Sequence, residues 1–300
     1  MIWKKVHAVL GRSRSKEVFV AYLFIAPVIF HLLMFTYFGI IYSGVLSAYA
    51  GTLLSPFRRF VGLGNYRFLF TDDYFLRGIL NTLLFCLGVV PIVTGGGLCL
   101  ALFVNQKFHG RTLFRVAWYL PVVTSIVAAA QIWIWMYNVD YGLFNDILRR
   151  VGLPKLAWIY SPKTALISIV LYYVWQNVAF SMIVYLASLQ EVPMQLYEAA
   201  QIDGANAWGQ FFEITLPLVM PATFFLLIVS TINALKVFVE IRIMTGGGPL
   251  GSTTMTGYQI YEAAFDFNLW GRASAMAVVF FFMVLFLCLI QYRYIPESYV

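Results

Sequence analysis

Six long apolar stretches divide the chain and constrain its fold more than any other feature. A helix needs about 20 mostly apolar residues to cross a bilayer, and each stretch reaches that length. They cover residues 18–46, 79–104, 113–137, 164–187, 217–240 and 272–292. Hydrophobic residues make up 61% of the chain and charged residues 11%, against about 25% charged residues in soluble domains. The sequence therefore predicts an all-α, polytopic membrane protein with six transmembrane helices.

The first apolar stretch predicts a retained span rather than a cleaved signal peptide. It follows five basic residues within 1–17, and Ala48-Tyr49-Ala50 after it resembles a cleavage site. The stretch is, however, far longer than the about 7–15 residues of a signal core. We therefore expect one transmembrane domain over 18–292, with short tails at 1–17 and 293–300.

The orientation of the spans follows from the basic N-terminal flank. Over the loops, nine Lys and Arg residues lie on the side of the N-terminus and ten on the other side, so the total does not discriminate. The first span usually dominates orientation, and its flank is strongly basic. We expect a multi-pass protein of a bacterial-type inner membrane, with both termini in the cytoplasm.

The net charge of +7 does not indicate nucleic-acid binding, because the basic residues cluster at the ends of apolar stretches, as in most inner-membrane proteins. The cysteines lie inside apolar stretches and the histidines are scattered, so neither disulfides nor a metal site are expected. These residues are Cys86, Cys99, Cys288, His7, His31 and His109.

A polar loop, residues 190–217, separates the fourth and fifth stretches. Pro193 suits the first turn of a helix, and Gly204 permits a positive φ at which that helix ends. A second short helix over about 205–213 would complete a helix–turn–helix on the membrane surface. The loop has no Lys or Arg and carries Glu191, Glu198, Asp203 and Glu213. A lipid-facing amphipathic loop is the alternative, but this acidic character favours a protein partner.

Polar side chains in the fourth and fifth stretches are the candidates for a solute pathway, because polar groups are costly at membrane depth. Tyr173, Asn177, Ser181 and Tyr185 recur every four residues, so they share one helix face. Gln176 is adjacent, and Asn233 is a candidate in the next stretch. Amides and tyrosines suit a sugar, whereas hydrogen bonds between helices are the alternative. Lys236 and Glu240 are weaker candidates, expected near the external surface or paired with each other.

The loop also carries a spaced pattern. It reads Glu198-Ala199-Ala200, three residues, Gly204, nine residues, and then Ile214-Thr215-Leu216-Pro217. This resembles the cytoplasmic signature of binding-protein-dependent ABC import permeases. Further matches to the carbohydrate branch are Phe60-Val61-Gly62-Leu63-Gly64-Asn65-Tyr66, Tyr119-Leu120-Pro121 and Thr245-Gly246-Gly247-Gly248-Pro249. The compact, six-span members of the maltose-F and glycerol-phosphate-A type resemble the chain best.

The resemblance implies a transport subunit that does no bond chemistry. It assigns ATPase coupling to Glu198, Ala199, Ala200, Asp203, Gly204, Ile214, Leu216 and Pro217. It also implies a second homologous permease, two cytoplasmic ATPases that use ATP and Mg²⁺, an external solute-binding protein, and no cofactor on this chain. The sequence has no P-loop, so the ATPase would be a separate polypeptide. The alternatives are an autonomous channel or ion-coupled carrier, and a membrane enzyme, for which a catalytic constellation is missing.

Overall fold

The computed structural model describes residues 2–106 and 108–294, with side chains from residue 17 onward. Most of the predicted C-terminal tail, 293–300, lies outside the described residues. Helices dominate the remainder. They are α1 (Ile2–His31), α2 (Phe38–Leu46), α3 (Gly64–Leu69), α4 (Asp73–Asn105), α5 (Arg111–Val123), α6 (Ile126–Met136), α7 (Leu143–Arg150), α8 (Ala165–Glu191), α9 (Met194–Ile202), α10 (Ala207–Gln210), α11 (Leu216–Leu235), α12 (Val239–Met244), α13 (Thr256–Tyr261) and α14 (Trp270–Arg293). Single π turns join α1 to α2 (Leu32–Tyr37) and α10 to α11 (Phe211–Thr215), another follows α13 (Glu262–Asp266), and a 3₁₀ turn (Trp158–Tyr160) precedes α8.

Five of the helical segments are long and apolar enough to span a membrane. They are Glu17–Leu46, Asp73–Asn105, Ala165–Glu191, Ala207–Leu235 and Trp270–Arg293. They contain the first, second, fourth and sixth predicted stretches and most of the fifth. With the bent pair described next, the described residues hold up to six spans, so the chain is a multi-pass, almost entirely helical membrane protein.

The third predicted span, 113–137, is not one continuous helix. It is formed by α5 and α6, which meet at an angle of 101°. Thr124 ends α5 in an extended conformation, and both its hydroxyl and its amide donate to the Pro121 carbonyl, at 2.7 and 3.2 Å. The hydroxyl therefore competes with the helical hydrogen-bond pattern at this point, and the chain turns before Ile126.

The fifth predicted span, 217–240, is displaced toward the loop that precedes it. Its helix ends at Leu235, and Phe238, with φ −148°, separates it from α12. The Phe238 ring packs 4.9 Å from the ring of Tyr261, which fixes the new chain direction. At the other end, α10 and the π turn continue directly into α11. The second surface helix predicted over 205–213 is therefore wrong: those residues begin the fifth span.

The centre of the bundle is the packing of α4 against α8, and it depends on glycine. A Cβ on Gly97 would lie 2.4 Å from the Cβ of Ser181, and one on Gly96 would lie 3.3 Å from Val178, whereas Gly95 has open space. Two of the three glycines in the Gly95-Gly96-Gly97 run thus permit close packing of these helices. α11 completes this core, with Leu226 and Leu235 fully buried.

Irregular segments cover the end of the bundle opposite α9. Strands β1 (Tyr49–Ala50) and β2 (Arg59–Phe60) form an antiparallel pair in which Tyr49 faces Phe60. The Gly-rich loop after α12 is attached to α4, because Asn81 Nδ2 donates to the carbonyls of Gly251 and Thr254, at 3.1 and 2.9 Å. The first span is peripheral: none of its most apolar window is buried.

Candidate functional site

A pocket of about 360 Å³ lies where α8, α11 and α12 meet the bend between α5 and α6. Both breaks in the transmembrane helices border it. Val122 and Ile126, on either side of the first break, line the pocket together with residues 236–239 of the second. Non-helical backbone at membrane depth is tolerated only where it is buried in protein or lines a water-filled cavity. The two breaks therefore make this pocket a candidate functional cavity.

The pocket brings together the polar side chains that the sequence analysis singled out. Tyr173, Gln176, Asn177 and Asn233 line it. Ser181 lines a smaller cavity of about 20 Å³, which it shares with Tyr173, Asn177 and Asn233. All five candidates of the predicted pathway thus border one of two cavities that share three lining residues, although they come from two different helices.

Two buried polar atoms in this region have no hydrogen-bond partner among the described residues. They are Oε1 of Gln176 and Oγ of Ser181, whose residues are 5% and 0% exposed. Leaving a buried polar group unpaired costs about 1–3 kcal/mol. Asn177, in contrast, donates from Nδ2 to the Tyr173 carbonyl at 2.9 Å. Because both atoms are also buried, a ligand hydroxyl group would reach them only if the cavity opened toward them.

Lys236 and Glu240 also line the pocket, although the sequence analysis placed them near the external surface. That placement assumed a helix continuous to residue 240. Because the helix ends at Leu235 and the chain turns, α12 folds back and carries Glu240 to a buried position, 7% exposed. The predicted ion pair between the two is absent from the ion pairs of the described residues. The signal in the sequence was the pair of charged residues inside a predicted span. Their position was misjudged because the end of the helix at Leu235 was not predicted.

Tyr185, on the same face of α8 by its spacing, does not reach the pocket. Its hydroxyl donates to Thr223 Oγ1 at 3.1 Å, and its ring is buried with Met182 and Leu186. Here the alternative considered from the sequence, a hydrogen bond between helices, is correct.

The loop with the Glu198 pattern lies at the other end of α8 and α11. The 15 residues from Gln176 to Glu191 correspond to about 22 Å along the helix. Helix α9 ends as the sequence predicted: Gly204 has φ +83°, the Ala205 amide donates to Ala200 O at 2.8 Å, and the Gly204 amide donates to Gln201 O at 3.1 Å. These two bonds form a Schellman motif, which fixes the direction of the chain after Asp203.

The surface of this loop is both acidic and apolar. Glu198 and Asp203 are exposed, and so are five large apolar side chains. These are Met194 (67%), Leu196 (44%), Ile202 (87%), Trp208 (71%) and Phe212 (56%). Clustered exposed apolar side chains are typical of contact surfaces. Within this set, the Trp208 ring stacks on the Phe212 ring, with centroids 6.0 Å apart.

The second half of the spaced pattern, residues 214–217, lies inside a helix rather than on the exposed loop. Ile214, Leu216 and Pro217 lie within the continuous helix from Ala207 to Leu235 and are partly buried. A hydrogen bond of 2.9 Å between the hydroxyls of Tyr197 and Thr215 joins α9 to this helix. These residues connect the exposed loop to α11, whereas Glu198, Ala199 and Asp203 lie on the exposed surface itself.

The chain is similar to known membrane transport proteins. Residues 75–296 match the family model described as a binding-protein-dependent transport system inner membrane component. The chain is 35% identical over 279 residues to the probable ABC transporter permease protein YurN of Bacillus subtilis, with 92% of this chain and 95% of the relative covered. It is 34% identical over 275 residues to the trehalose/maltose transport system permease protein MalF of Thermococcus litoralis, with 92% and 93% covered.

A solved structure extends the likeness to the fold. The crystal structure of a bacterial alginate ABC transporter, in complex with an alginate pentasaccharide-bound periplasmic protein, contains a chain that matches with a TM-score of 0.80 and 25% identity, over 93% of this chain and 94% of that one. These matches do not favour an autonomous channel or ion-coupled carrier. The chain belongs to the family of binding-protein-dependent transport system inner membrane components, and it is a permease subunit of an ABC importer.

Proposed function

We propose that this permease forms half of the pathway for a sugar or a related polyol, and that the pocket around Gln176 contacts the solute. The observation that supports this most is the pair of buried, unpaired polar atoms, Gln176 Oε1 and Ser181 Oγ, beside an amide and a tyrosine. A sugar offers many hydroxyl groups that donate and accept hydrogen bonds, together with apolar C–H faces that pack on aromatic rings. Both kinds of contact are present in the pocket.

The charges of the pocket favour a neutral solute. Lys236 and Glu240 are the only ionisable side chains of opposite sign among the described residues that line it, so their formal charges cancel. A phosphate ester would require an excess of cations. The names of the trehalose/maltose relative and of the alginate-transporter structure support a carbohydrate. Of these two, only the trehalose/maltose relative supports a neutral one, because alginate is an acidic polysaccharide.

The remaining subunits follow from the same proposal. Two ATPases, which bind ATP and Mg²⁺, would contact the surface around Glu198 and Ile202. A second permease would complete the pathway, and a solute-binding protein would deliver the solute at the opposite end. The loop around Glu198 and both termini would then be cytoplasmic. This chain would bind no cofactor and catalyse no reaction of its own.

Substitution of Gln176 tests the solute contact. Gln176→Leu removes a buried unpaired acceptor, so we expect stability to be maintained. Uptake by the complete importer in proteoliposomes should fall about tenfold, which corresponds to one lost hydrogen bond of roughly 1.4 kcal/mol.

The matched control is Gln106→Leu, because Gln106 is exposed at the C-terminal end of α4. This variant should transport normally. Normal uptake in Gln176→Leu would contradict the proposed role of the pocket.

A further inference from the structure

A second, larger pocket lies at the end of the bundle opposite the Glu198 loop. It has a volume of about 570 Å³ and lies between the β1–β2 hairpin, α3 and the first turn of α14. Three arginines line it: Arg58 and Arg59 from the hairpin, and Arg272 from α14. The backbone is closely packed here, because a Cβ on Gly271 would lie 1.8 Å from the Tyr49 carbonyl oxygen. We call this the arginine pocket.

The three arginines have no acidic partner in the part of the chain that the structure describes. None of them belongs to an ion pair of the described residues, and no Asp or Glu is among the described residues that line the pocket. Arg272 is held in place by the ring of Phe68, whose centroid is 4.0 Å from the guanidinium carbon. Like charges in one pocket repel each other, and an anion that bridges them removes that cost. The first-turn amides of α14 add to the positive potential.

Helix α14 places this pocket at the level of lipid headgroups. Between Arg272 and Arg293 the helix contains no charged residue. Arg293 follows Arg272 by 21 positions, which corresponds to about 31 Å and matches the hydrocarbon thickness of about 30 Å. Arg272 therefore lies at one boundary of the hydrocarbon. The neighbouring hairpin exposes Leu54 (91%) and Phe60 (67%), as expected of a segment that rests on the membrane surface.

An apolar crevice lies deeper between the first span and α14. Its volume is about 540 Å³, and Gly39, Ser43, Val278 and Phe282 are among its lining residues. Val278 and Phe282 follow Gly271 by seven and 11 residues, or about two and three helical turns, so they share its face of α14. The crevice is thus about 10–17 Å below the arginine pocket on the same helix face. A free phosphate would use only the pocket, whereas a phospholipid would use both.

We propose that Arg58, Arg59 and Arg272 bind the phosphate of one anionic phospholipid, whose acyl chains occupy the crevice between the first span and α14. The site lies in the leaflet opposite the Glu198 loop. The lipid fills the gap between a peripheral first span, whose most apolar window is 0% buried, and the rest of the bundle. It thereby fixes the position of the first span.

The test is native mass spectrometry of the delipidated, purified importer complex after titration with phosphatidylglycerol, phosphatidylcholine or glycerol phosphate. We expect one phosphatidylglycerol per copy of this chain, bound at least tenfold more tightly than the other two compounds. The Arg58→Gln/Arg59→Gln/Arg272→Gln variant should lose at least tenfold in affinity, whereas the corresponding triple Lys variant, which keeps the charge, should lose less. Gly39→Leu, which narrows the crevice, should weaken phosphatidylglycerol binding and leave glycerol phosphate unaffected.

The matched control is Lys155→Gln/Lys163→Gln, which removes two exposed cations outside the pocket and should bind like the wild type. Equal binding of phosphatidylcholine would overturn the proposal. Equal binding of glycerol phosphate, together with no effect of Gly39→Leu, would indicate a free-anion site and would also overturn it. So would a lipid-free complex in which a second permease subunit fills the crevice. The Lys variant separates lost charge from misfolding, since a folding defect would lower binding in both triple variants.

Discussion

The Glu198 loop and the Gln176 pocket are connected by the same two helices, and they are constructed differently. The pocket lies near the middle of α8 and at the far end of α11. The loop is a local structure: one short helix, a Schellman motif at Gly204 and side chains that are largely exposed. The pocket is a tertiary structure: it requires two helix breaks, the close approach of α4 to α8, and residues from five helical segments. In the proposed function, the loop presents a surface to the ATPases, whereas the pocket encloses the solute.

This difference shows how the two regions can be coupled. α8 runs from the pocket to the loop, and α11 returns through the Tyr197–Thr215 hydrogen bond. In the proposed function, a force applied to α9 would be transmitted along these two helices to the pocket. The breaks at Thr124 and Phe238 are the places where the pocket can change shape without breaking a regular helix.

The largest effect is expected from the exposed surface of the loop. Ile202 is 87% exposed, so Ile202→Glu should not affect folding of this chain. If Ile202 is a buried contact to an ATPase, the substitution should weaken ATPase binding by at least about 2 kcal/mol, or roughly 30-fold in affinity. The measurement is co-purification of the ATPases. The control is Val151→Glu, the same change at an exposed position of the opposite end, 66% exposed. Undiminished ATPase association would show that the loop is not the contact surface.

The Schellman motif gives the next effect. Gly204 has φ +83°, and no atom lies within 4 Å of the position that a Cβ would occupy there. Gly204→Val therefore acts only through backbone strain of about 1–2 kcal/mol. We expect substrate-stimulated ATP hydrolysis to fall about tenfold while membrane insertion is maintained.

Gly152→Val is the matched control, because Gly152 has φ +77° and equally open surroundings at the other end of the bundle. It introduces the same strain and should preserve hydrolysis. If both variants lose it equally, general instability would explain the result.

The sequence predicted the first half of the loop and the polar face of α8 better than the helix ends that border the pocket, and the reason is physical. Gly204 and the acidic residues act through local geometry and exposure, which adjacent residues reveal. The pocket depends on where α5 and α11 end, and the largely apolar composition continues past both helix ends, so it does not reveal them. The polar residues of α8 were identified because their spacing is regular, whereas Glu240 was misplaced because its position depends on the turn at Phe238.

Helix packing next to the pocket gives an intermediate effect. Gly97→Leu would force α4 away from Ser181, since a Cβ would lie 2.4 Å from the Ser181 side chain, and overpacking costs about 1–3 kcal/mol. We expect a lower thermal midpoint and reduced uptake. Gly95→Leu, two residues away in open space, is the control and should change neither. A wild-type thermal midpoint in Gly97→Leu would mean that the pocket does not depend on this close approach.

The smallest effect is expected from Tyr185, which lies on the polar face of α8 but outside the pocket. Tyr185→Phe removes the hydrogen bond to Thr223 and should lower stability by about 1 kcal/mol. Uptake at saturating solute should stay at the wild-type level, because the hydroxyl does not line the pocket. A selective loss of uptake would extend the pathway beyond Ser181.

The most direct test measures ATP hydrolysis and uptake in the same proteoliposomes for Gly204→Val and Gln176→Leu in the complete importer. We predict that Gly204→Val loses substrate-stimulated hydrolysis and uptake together, because the loop no longer transmits force. Gln176→Leu should keep hydrolysis stimulated by the binding protein and lose uptake, because only the solute contact is removed. Normal stimulated hydrolysis and uptake in Gly204→Val would contradict the account.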